Sequence, residues 1–522
     1  MLIGDIITYN SERYPQKLAL VDGEQKITYR ELEERSNQLS RVLAGRGLGP
    51  GSRVAVIEDT NIDCIVCSLG VIKAGAVLIN VNNLYGPREL IKILGDCDSS
   101  ALIVGPDHRK KVAQIKDQLP GVEHFFCLGE CAFGLDLNGE MAGMPVDRLS
   151  LEIPEEQAFM ILYTAGTTGE PKGAVYTHAA FWQNLLLTVI DTYKQSYTER
   201  WIGPIPMYHI GGFGTLLRIF LMSNTFYLKN KFDPLDYLQT IAAEKITILY
   251  AYPTMINAMV HVPEGGRLDL SSLKLVVYGG SPISETTLRA AYELFNCDFL
   301  QRYGATECCG AAILILPPED HREMLANPNV DRRRLLTAGK PSLGTKVKLL
   351  DLNDQVITRP WQPGALLAKL PAAMQGYWRD SQETAKVLVD GWLRLGDIAQ
   401  FDEEGYFYLV DREKDMIVSG ARNIYPREVE EVIYGHPAVK EACVIGVPDE
   451  YWGESVKAVV VLRESATLSE AELIDYCKSH LASYKKPKSV DFVPGLPKNA
   501  GGKIMKKVIR QKYWAGRDRL IH

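Results

Sequence analysis

Through roughly the first three hundred positions of the chain, short β-branched and aliphatic runs alternate with longer stretches whose apolar residues recur every three or four places. The runs SRVAVIED (52–59), ALIVGP (101–106), ITILYAYP (246–253) and LKLVVYGG (273–280) have the length and composition of buried strands. PRELIKILGDC (87–97) and SETTLRAAYELF (284–295) have helical spacing, and DCIVCSLGVIKAGAVL (63–78) reads as a helix buried on all sides. Such alternation predicts an α/β architecture. After residue 346 the texture changes: VKLLDLNDQVITRPWQPGALL (347–367) is rich in turn residues and predicts a small β-rich subdomain. DREKDMIVSGARNIYP (411–426) then breaks the pattern, before a helix with acids in its first turn, PREVEEVIYGHPAV (426–439), and a strand, ACVIGVPD (442–449). The expected organisation is a large N-terminal domain of α/β sheets, 1–411, carrying the β-rich subdomain, and a small α+β C-terminal domain, 412–522.

Length supports the division, because 522 residues exceed what one hydrophobic core usually organises. A hydrophobic fraction of 46% with 23% charged residues falls in the range of globular enzymes. The net charge of −6 gives no reason to expect a nucleic-acid partner. The charge is uneven, however: from Lys478 onward twelve Lys and Arg face two Asp and Glu. No run of eighteen apolar residues occurs, and the opening segment carries acids where a signal peptide would be apolar, so no stable membrane insertion and a cytoplasmic location are expected. Ten cysteines are too sparse for a disulfide framework. Cys64 and Cys67 lack the second ligand pair that zinc needs, and His124, Cys127 and Cys131 lie in HFFCLGEC, which reads as a strand entering a turn rather than a metal site.

The most specific segment is Tyr163 to Gly173, YTAGTTGEPKG, entered from the strand-like FMIL. Gly166 and Gly169 let backbone approach an anion, Thr164, Thr167 and Thr168 add hydroxyl donors, Ala165 leaves the loop small, and Lys172 brings a positive charge. The pattern points to a nucleoside triphosphate. It differs from the P-loop of nucleoside triphosphatases, since Gly173 rather than Ser or Thr follows the lysine.

This segment resembles the signature loop of the acyl-adenylate-forming superfamily: acyl-CoA synthetases, luciferases and peptide-synthetase adenylation domains. Further motifs follow in the family's order. YGATE, with Tyr303, Gly304, Thr306 and Glu307, is similar to the adenine and magnesium motif. LRLGD ending at Asp397 resembles the ribose motif, and DREKDMIVSGARNIYPREVE resembles the hinge region, with Arg412 at the nucleotide and Lys414 at the pivot. PKNAGGKIMKK places Lys503 at the family's catalytic lysine. The chemistry agrees residue by residue: an aromatic face for adenine, a hard oxygen at Glu307 for Mg²⁺, a carboxylate at Asp397 for two ribose hydroxyls, and an ammonium at Lys503 for charge developing between carboxylate and α-phosphate. By the same resemblance His209, in IPMYHIGGFG, stands at the mouth of the acyl pocket, and Gly279, Gly280 and Ser281 lie between adenine and the acyl group.

The resemblance implies an acid–thiol ligase that uses ATP, Mg²⁺ and coenzyme A. It forms acyl-AMP with release of pyrophosphate, then passes the acyl group to the thiol. Family members turn a mobile C-terminal domain between the steps, so that Lys503 attends the first and the loop Ser419, Gly420, Ala421 the second. The expected partners are a small-molecule carboxylic acid and coenzyme A, in a monomer or homodimer. Windows 208–217, 277–282 and 308–314, which border the acyl pocket by resemblance, contain no Asp, Glu, Lys or Arg. A monocarboxylic acid with a neutral tail, aliphatic or aromatic, is therefore expected. The alternatives are loading of a carrier-protein thiol, a luciferase-like oxygenase, and a non-catalytic nucleotide-binding protein.

Overall fold

The computed structural model describes residues 1–165, 171–192, 196–281, 283–327, 332–419, 422–449, 451–498 and 504–514. The chain divides into two compact units, one of residues 1–347 with 368–393 and the other of 348–367 with 394–522. Of the expected site, Gly166, Thr167, Thr168, Gly169, Gly420, Ala421 and Lys503 lie outside the described residues.

The first unit contains two sheets. One runs in the order Lys340–Pro341, Leu314–Leu316, Asp298–Tyr303, Leu275–Gly279, Ile248–Ala251, Arg200–Ile202, Thr225–Tyr227, Leu18–Asp22, Gln25–Thr28. From Asp298–Tyr303 through Leu18–Asp22 its neighbours pair in parallel. The other runs Gly376–Tyr377, Pro171–Thr177, Ala158–Ala165, Val77–Asn80, Arg53–Ile57, Ala101–Val104, His124–Cys127, Leu135–Asp136. The strands predicted from the hydrophobic runs are present, but the run 63–78, read as one buried helix, is a helix only over Ile62–Lys73, every residue of which except Asp63 is buried; Gly75, at φ +77°, turns the chain into the strand Val77–Asn80.

A single apolar cluster joins these layers. Trp201, Phe226, Ile248 and Val277 of the first sheet and Val54, Leu78, Phe159 and Tyr176 of the second meet Leu39, Cys67, Phe181, Phe213 and Phe220, which come from helices between them. The opposite face of the second sheet is covered by Leu90, Leu94 and Val112. Parallel strands buried on both faces read as continuous apolar runs, which is why the sequence marks them so clearly. Cys64 and Cys67 are free buried thiols whose pKa values burial raises. Cys127 and Cys131 are joined to each other across a turn, a bond that the cysteine count did not suggest. Among the described residues no cluster of three His, Cys, Asp or Glu could hold a metal. Nor is any described helix long and apolar enough to cross a membrane.

In the second unit residues 397–401 pair antiparallel with Phe407–Arg412, placing Asp397 opposite Arg412. A further sheet runs Arg422–Ile424, Ile417–Ser419, Gly453–Leu462, Val439–Asp449, with Ser489–Phe492 added in parallel to Gly453–Leu462. The helices Pro426–Tyr434 and Glu470–His480 cover it through Val429, Ile433, Leu473 and Cys477. The basic terminal segment is less free than its composition suggests. Lys485, Lys488, Lys498, Lys506 and Arg510 pair with Glu428, Asp449, Glu441, Glu430 and Asp415. Lys506, although enclosed by protein, is held between acids that favour its charged form.

Candidate active site

Four adjacent parallel strands of the first sheet end at the same edge, and the chemistry-bearing residues follow their carboxyl ends. After Arg200–Ile202 comes the loop to His209; after Ile248–Ala251, Tyr252; after Leu275–Gly279, Gly280 and Ser281; after Asp298–Tyr303, Gly304, Thr306 and Glu307. The carboxyl edge of an open α/β sheet is where loops can converge on a ligand without breaking the ladder.

His209 caps the helix Ile210–Leu221, its Nδ1 accepting from the Gly211 N–H at 3.0 Å. An accepting Nδ1 means that a neutral ring carries its proton on Nε2, ready to donate to a carboxylate oxygen. The ring is solvent-accessible yet enclosed by protein, as in a recess, and the enclosure lowers its pKa. Gly212 is needed for the turn that delivers it, because a Cβ there would lie 2.4 Å from the Pro206 carbonyl oxygen. Gly280 has φ +82°, and a Cβ on it would approach the Tyr252 ring to 3.3 Å. Gly279 also has a packing reason to be glycine. A Cβ there would meet the Arg302 carbonyl oxygen of the next strand at 2.3 Å.

Glu307 occupies a short 3-10 turn, Thr306–Cys308. Tyr377 donates its hydroxyl to Glu307 Oε1 at 2.7 Å, and the Met374 N–H donates to the Glu307 carbonyl at 2.8 Å. Oε2 accepts from no described residue. A lone carboxylate with one oxygen fixed and one available fits Mg²⁺, which takes one or two protein carboxylates and completes its shell with phosphate and water. Tyr176 donates to the Thr306 carbonyl at 2.9 Å, fixing the same turn from a third strand.

The strand Ala158–Ala165 leads to the Gly/Thr segment and Pro171–Thr177 leads back, with Thr164 opposite Lys172 and Ala165 opposite Pro171. Lys172 therefore sits on a strand, paired with Thr164. Its ammonium pairs with Glu383, whose carboxyl the lysine's hydrogen bond pushes down to about 2, and it lies 5.5 Å from the centre of the Tyr377 ring. Tyr377, Glu383 and Tyr252 were not singled out from the sequence. Tyr377 and Glu383 reach the site from 70 and 211 residues away, respectively, and no local pattern announces that. Tyr252, just past a strand end and before a proline, was legible in principle.

In the second unit Arg412 Nε lies 2.8 Å from Asp397 Oδ1, and its Nη1 donates to the Leu395 carbonyl at 3.1 Å. The two residues expected at the ribose are thus brought together, with Asp397 buried and Arg412 half-buried. Ser419 ends a strand, opposite Arg422 on one side and Gly453 on the other. Lys414, in the turn Glu413–Asp415, is exposed.

Layered α/β units, with a Gly/Thr-rich sequence following one strand and an oriented lone carboxylate after another, fit a nucleotide-dependent enzyme of the adenylate-forming kind. Residues 7–378 match the AMP-binding enzyme family, and 428–503 match the AMP-binding enzyme C-terminal domain. A feruloyl-CoA synthase from an Amycolatopsis species is 34% identical over 503 residues, 96% of each chain. A long-chain-fatty-acid–CoA ligase of Mycobacterium tuberculosis is 32% identical over 493 residues, 94% of each chain. Among solved structures, an anthranilate CoA ligase in complex with anthranoyl-AMP superposes with a TM-score of 0.88 at 26% identity, covering 98% of this chain and 97% of that one. The chain belongs to the AMP-binding enzyme family, within the acyl-CoA synthetase branch of the acyl-adenylate-forming superfamily.

Proposed function

We propose that the protein is an AMP-forming acid–thiol ligase that converts a carboxylic acid through acyl-AMP to its coenzyme A thioester. The observation that carries this reading is the shared strand edge, where neutral His209, Gly280 beside Tyr252, and Glu307 oriented by Tyr377 stand at the ends of neighbouring strands. In this reading His209 Nε2–H holds the acid's carboxylate, and Tyr303 stacks on adenine. Asp397 accepts the ribose hydroxyls, and Lys172 releases Glu383 to meet phosphate. Glu307 would hold Mg²⁺, which when bound would supply positive charge against the phosphates. Lys503 stabilises attack of the carboxylate on the α-phosphate. We further propose that residues 412–522 turn about Lys414 between half-reactions, bringing the Ser419–Ala421 loop to coenzyme A. ATP and coenzyme A are cytoplasmic pools, and a cytoplasmic location is part of the proposal.

The first half-reaction is tested by exchange of labelled pyrophosphate into ATP. Exchange that requires both a carboxylic acid and the divalent cation supports the reading. Exchange that is independent of any acid, or an ATP that yields ADP, contradicts it.

A further inference from the structure

The strand His124–Cys127 ends on a cysteine with no exposed surface, and four residues later Cys131 is half-buried. The bond between the two sulfurs closes a small ring around the turn Leu128, Gly129 and Glu130, with Gly129 at φ +83°. Arg109, the first residue of the helix Arg109–Ala113, sits against that ring. Its Nη2 donates to the Leu128 carbonyl, and a Cβ on Gly129 would stand 3.1 Å from the same nitrogen. The guanidinium Nε is buried without a hydrogen-bond partner among the described residues, and Glu130, the acid within the ring, is exposed. A positive charge therefore stands beside the disulfide turn.

The other eight cysteines are free, and access and charge separate them from this pair. Seven of them are buried; Cys297 is half-buried, and burial pushes its thiol up to about 12. Thiol–disulfide exchange needs a sulfur that can be reached and a departing thiolate that is stabilised, and a nearby cation supplies the second. Cys131 offers the reachable sulfur, and Arg109 brings its charge to the backbone next to Cys127. The ring also has something to hold. Cys127 stands opposite Asp136 in the parallel pairing with the two-residue edge strand Leu135–Asp136. Asp136 in turn caps the helix Leu137–Met141, its Oδ1 accepting from the Asn138 N–H at 3.1 Å.

We propose that Cys127 and Cys131 form a thiol-exchange site, which a low-molecular-weight thiol opens by attack on Cys131 Sγ. The incoming thiolate forms a new S–S bond to Cys131, the Cys127–Cys131 bond breaks, and Cys127 leaves with the electron pair and takes a proton from solvent. The product is a mixed disulfide on Cys131 beside a free Cys127. A second molecule of the same thiol attacks the mixed disulfide, departs as the low-molecular-weight disulfide and frees Cys131, so the protein gains the two electrons that the thiol pair loses. The reverse sequence, driven by the low-molecular-weight disulfide, closes the ring. Arg109 favours the thiolate in both directions, and opening the ring releases the sheet edge at Leu135–Asp136. The pair belongs to the second sheet, whereas His209 and Glu307 follow strands of the first, and the inference does not depend on the ligase reading.

The test uses the full-length protein purified without reductant, glutathione as the probe, and mass spectrometry of alkylated peptides as the readout. Unfolded in iodoacetamide, the untreated protein should show eight alkylated cysteines, with Cys127 and Cys131 still joined. After the folded protein has met reduced glutathione, all ten should be alkylated, and early quenching should catch glutathione on Cys131 rather than Cys127. When glutathione disulfide is offered to the reduced, folded protein, Cys131 should react at least about tenfold faster than Cys297, since an accessible sulfur beside a cation is more thiolate than a buried one. Arg109→Met should slow the reaction of Cys131 by roughly tenfold, and Arg109→Lys should restore part of the rate. The Cys297 rate in the same sample reports any general loosening of the fold. The proposal is overturned by ten free thiols even after glutathione disulfide, by a bond that reduced glutathione fails to open in the folded protein, or by Cys297 reacting as fast as Cys131. A wild-type Cys131 rate in Arg109→Met contradicts the activation by Arg109.

Discussion

Glu307 is aimed by Tyr377, which lies far along the chain on the short strand Gly376–Tyr377. Such outer partners typically change metal affinity or activity by about 10–100-fold when removed. Tyr377→Phe should therefore raise the Mg²⁺ concentration that half-saturates adenylation by roughly tenfold at an unchanged thermal midpoint, and Glu307→Gln should weaken adenylation further. Wild-type magnesium dependence in Tyr377→Phe would show that the hydroxyl does not orient the ligand. A second residue-scale prediction concerns pH. His178 and His321 are buried, and burial pushes both pKa values down to about 4 from an unfolded value near 6.5. Protons thus bind the unfolded chain first. Stability is full above about pH 6.5 and is lost as the pH falls toward about 4. His178 Nδ1 accepts from the Ile3 N–H at 3.1 Å, so His178→Gln keeps an acceptor that cannot be protonated. Urea midpoints measured between pH 7 and pH 4.5 should fall less steeply in that variant. Equal slopes would remove His178 from the account. At this scale the sequence offered Glu307, Asp397, Arg412 and His209 as candidates, because a local motif carries the chemistry of each. It did not point to Tyr377 and Glu383, whose contacts with Glu307 and Lys172 come only from where distant segments meet.

At the scale of elements, the site exists because four parallel strands stop in line, and glycine at two of those ends lets neighbouring backbones close up. A Cβ on Gly279 would meet the Arg302 carbonyl at 2.3 Å, and one on Gly304 would meet the Ala311 carbonyl at 2.3 Å. Gly279→Ala should cost more than about 1 kcal/mol in urea unfolding and reduce exchange activity, because the strand must shift to admit the methyl. An unchanged unfolding free energy would contradict the close packing between Leu275–Gly279 and Asp298–Tyr303. The strands and principal helices were legible from periodicity, since buried parallel strands and amphipathic helices leave strong patterns. Lys172 was read as part of the Gly/Thr segment. The ladder to Thr164 extends through it, and pairing across an antiparallel strand cannot be seen in one segment alone.

At the scale of the whole molecule, the proposed mechanism assigns Lys503 to the first half-reaction only. Lys503→Ala should slow acyl-AMP formation by about a hundredfold or more, yet convert preformed acyl-AMP and coenzyme A to thioester at close to the wild-type rate. Lys414→Pro should do the reverse and accumulate acyl-AMP, because a fixed φ at a pivot hinders rotation. A Lys503→Ala enzyme that is folded and equally defective in both steps would contradict the alternation. The hinge and the Lys503 role are expected from resemblance rather than from periodicity, and Lys503 lies outside the described residues. The central claim, that this is a ligase passing an activated acid to coenzyme A, is tested most directly by following the nucleotide product while the thiol is varied. With ATP, Mg²⁺ and an accepted acid, the account predicts little AMP turnover until coenzyme A is added, then one AMP and one pyrophosphate for each thioester formed. Multiple-turnover AMP release that is indifferent to coenzyme A, or acyl transfer that occurs to a carrier-protein thiol and never to coenzyme A, would contradict it.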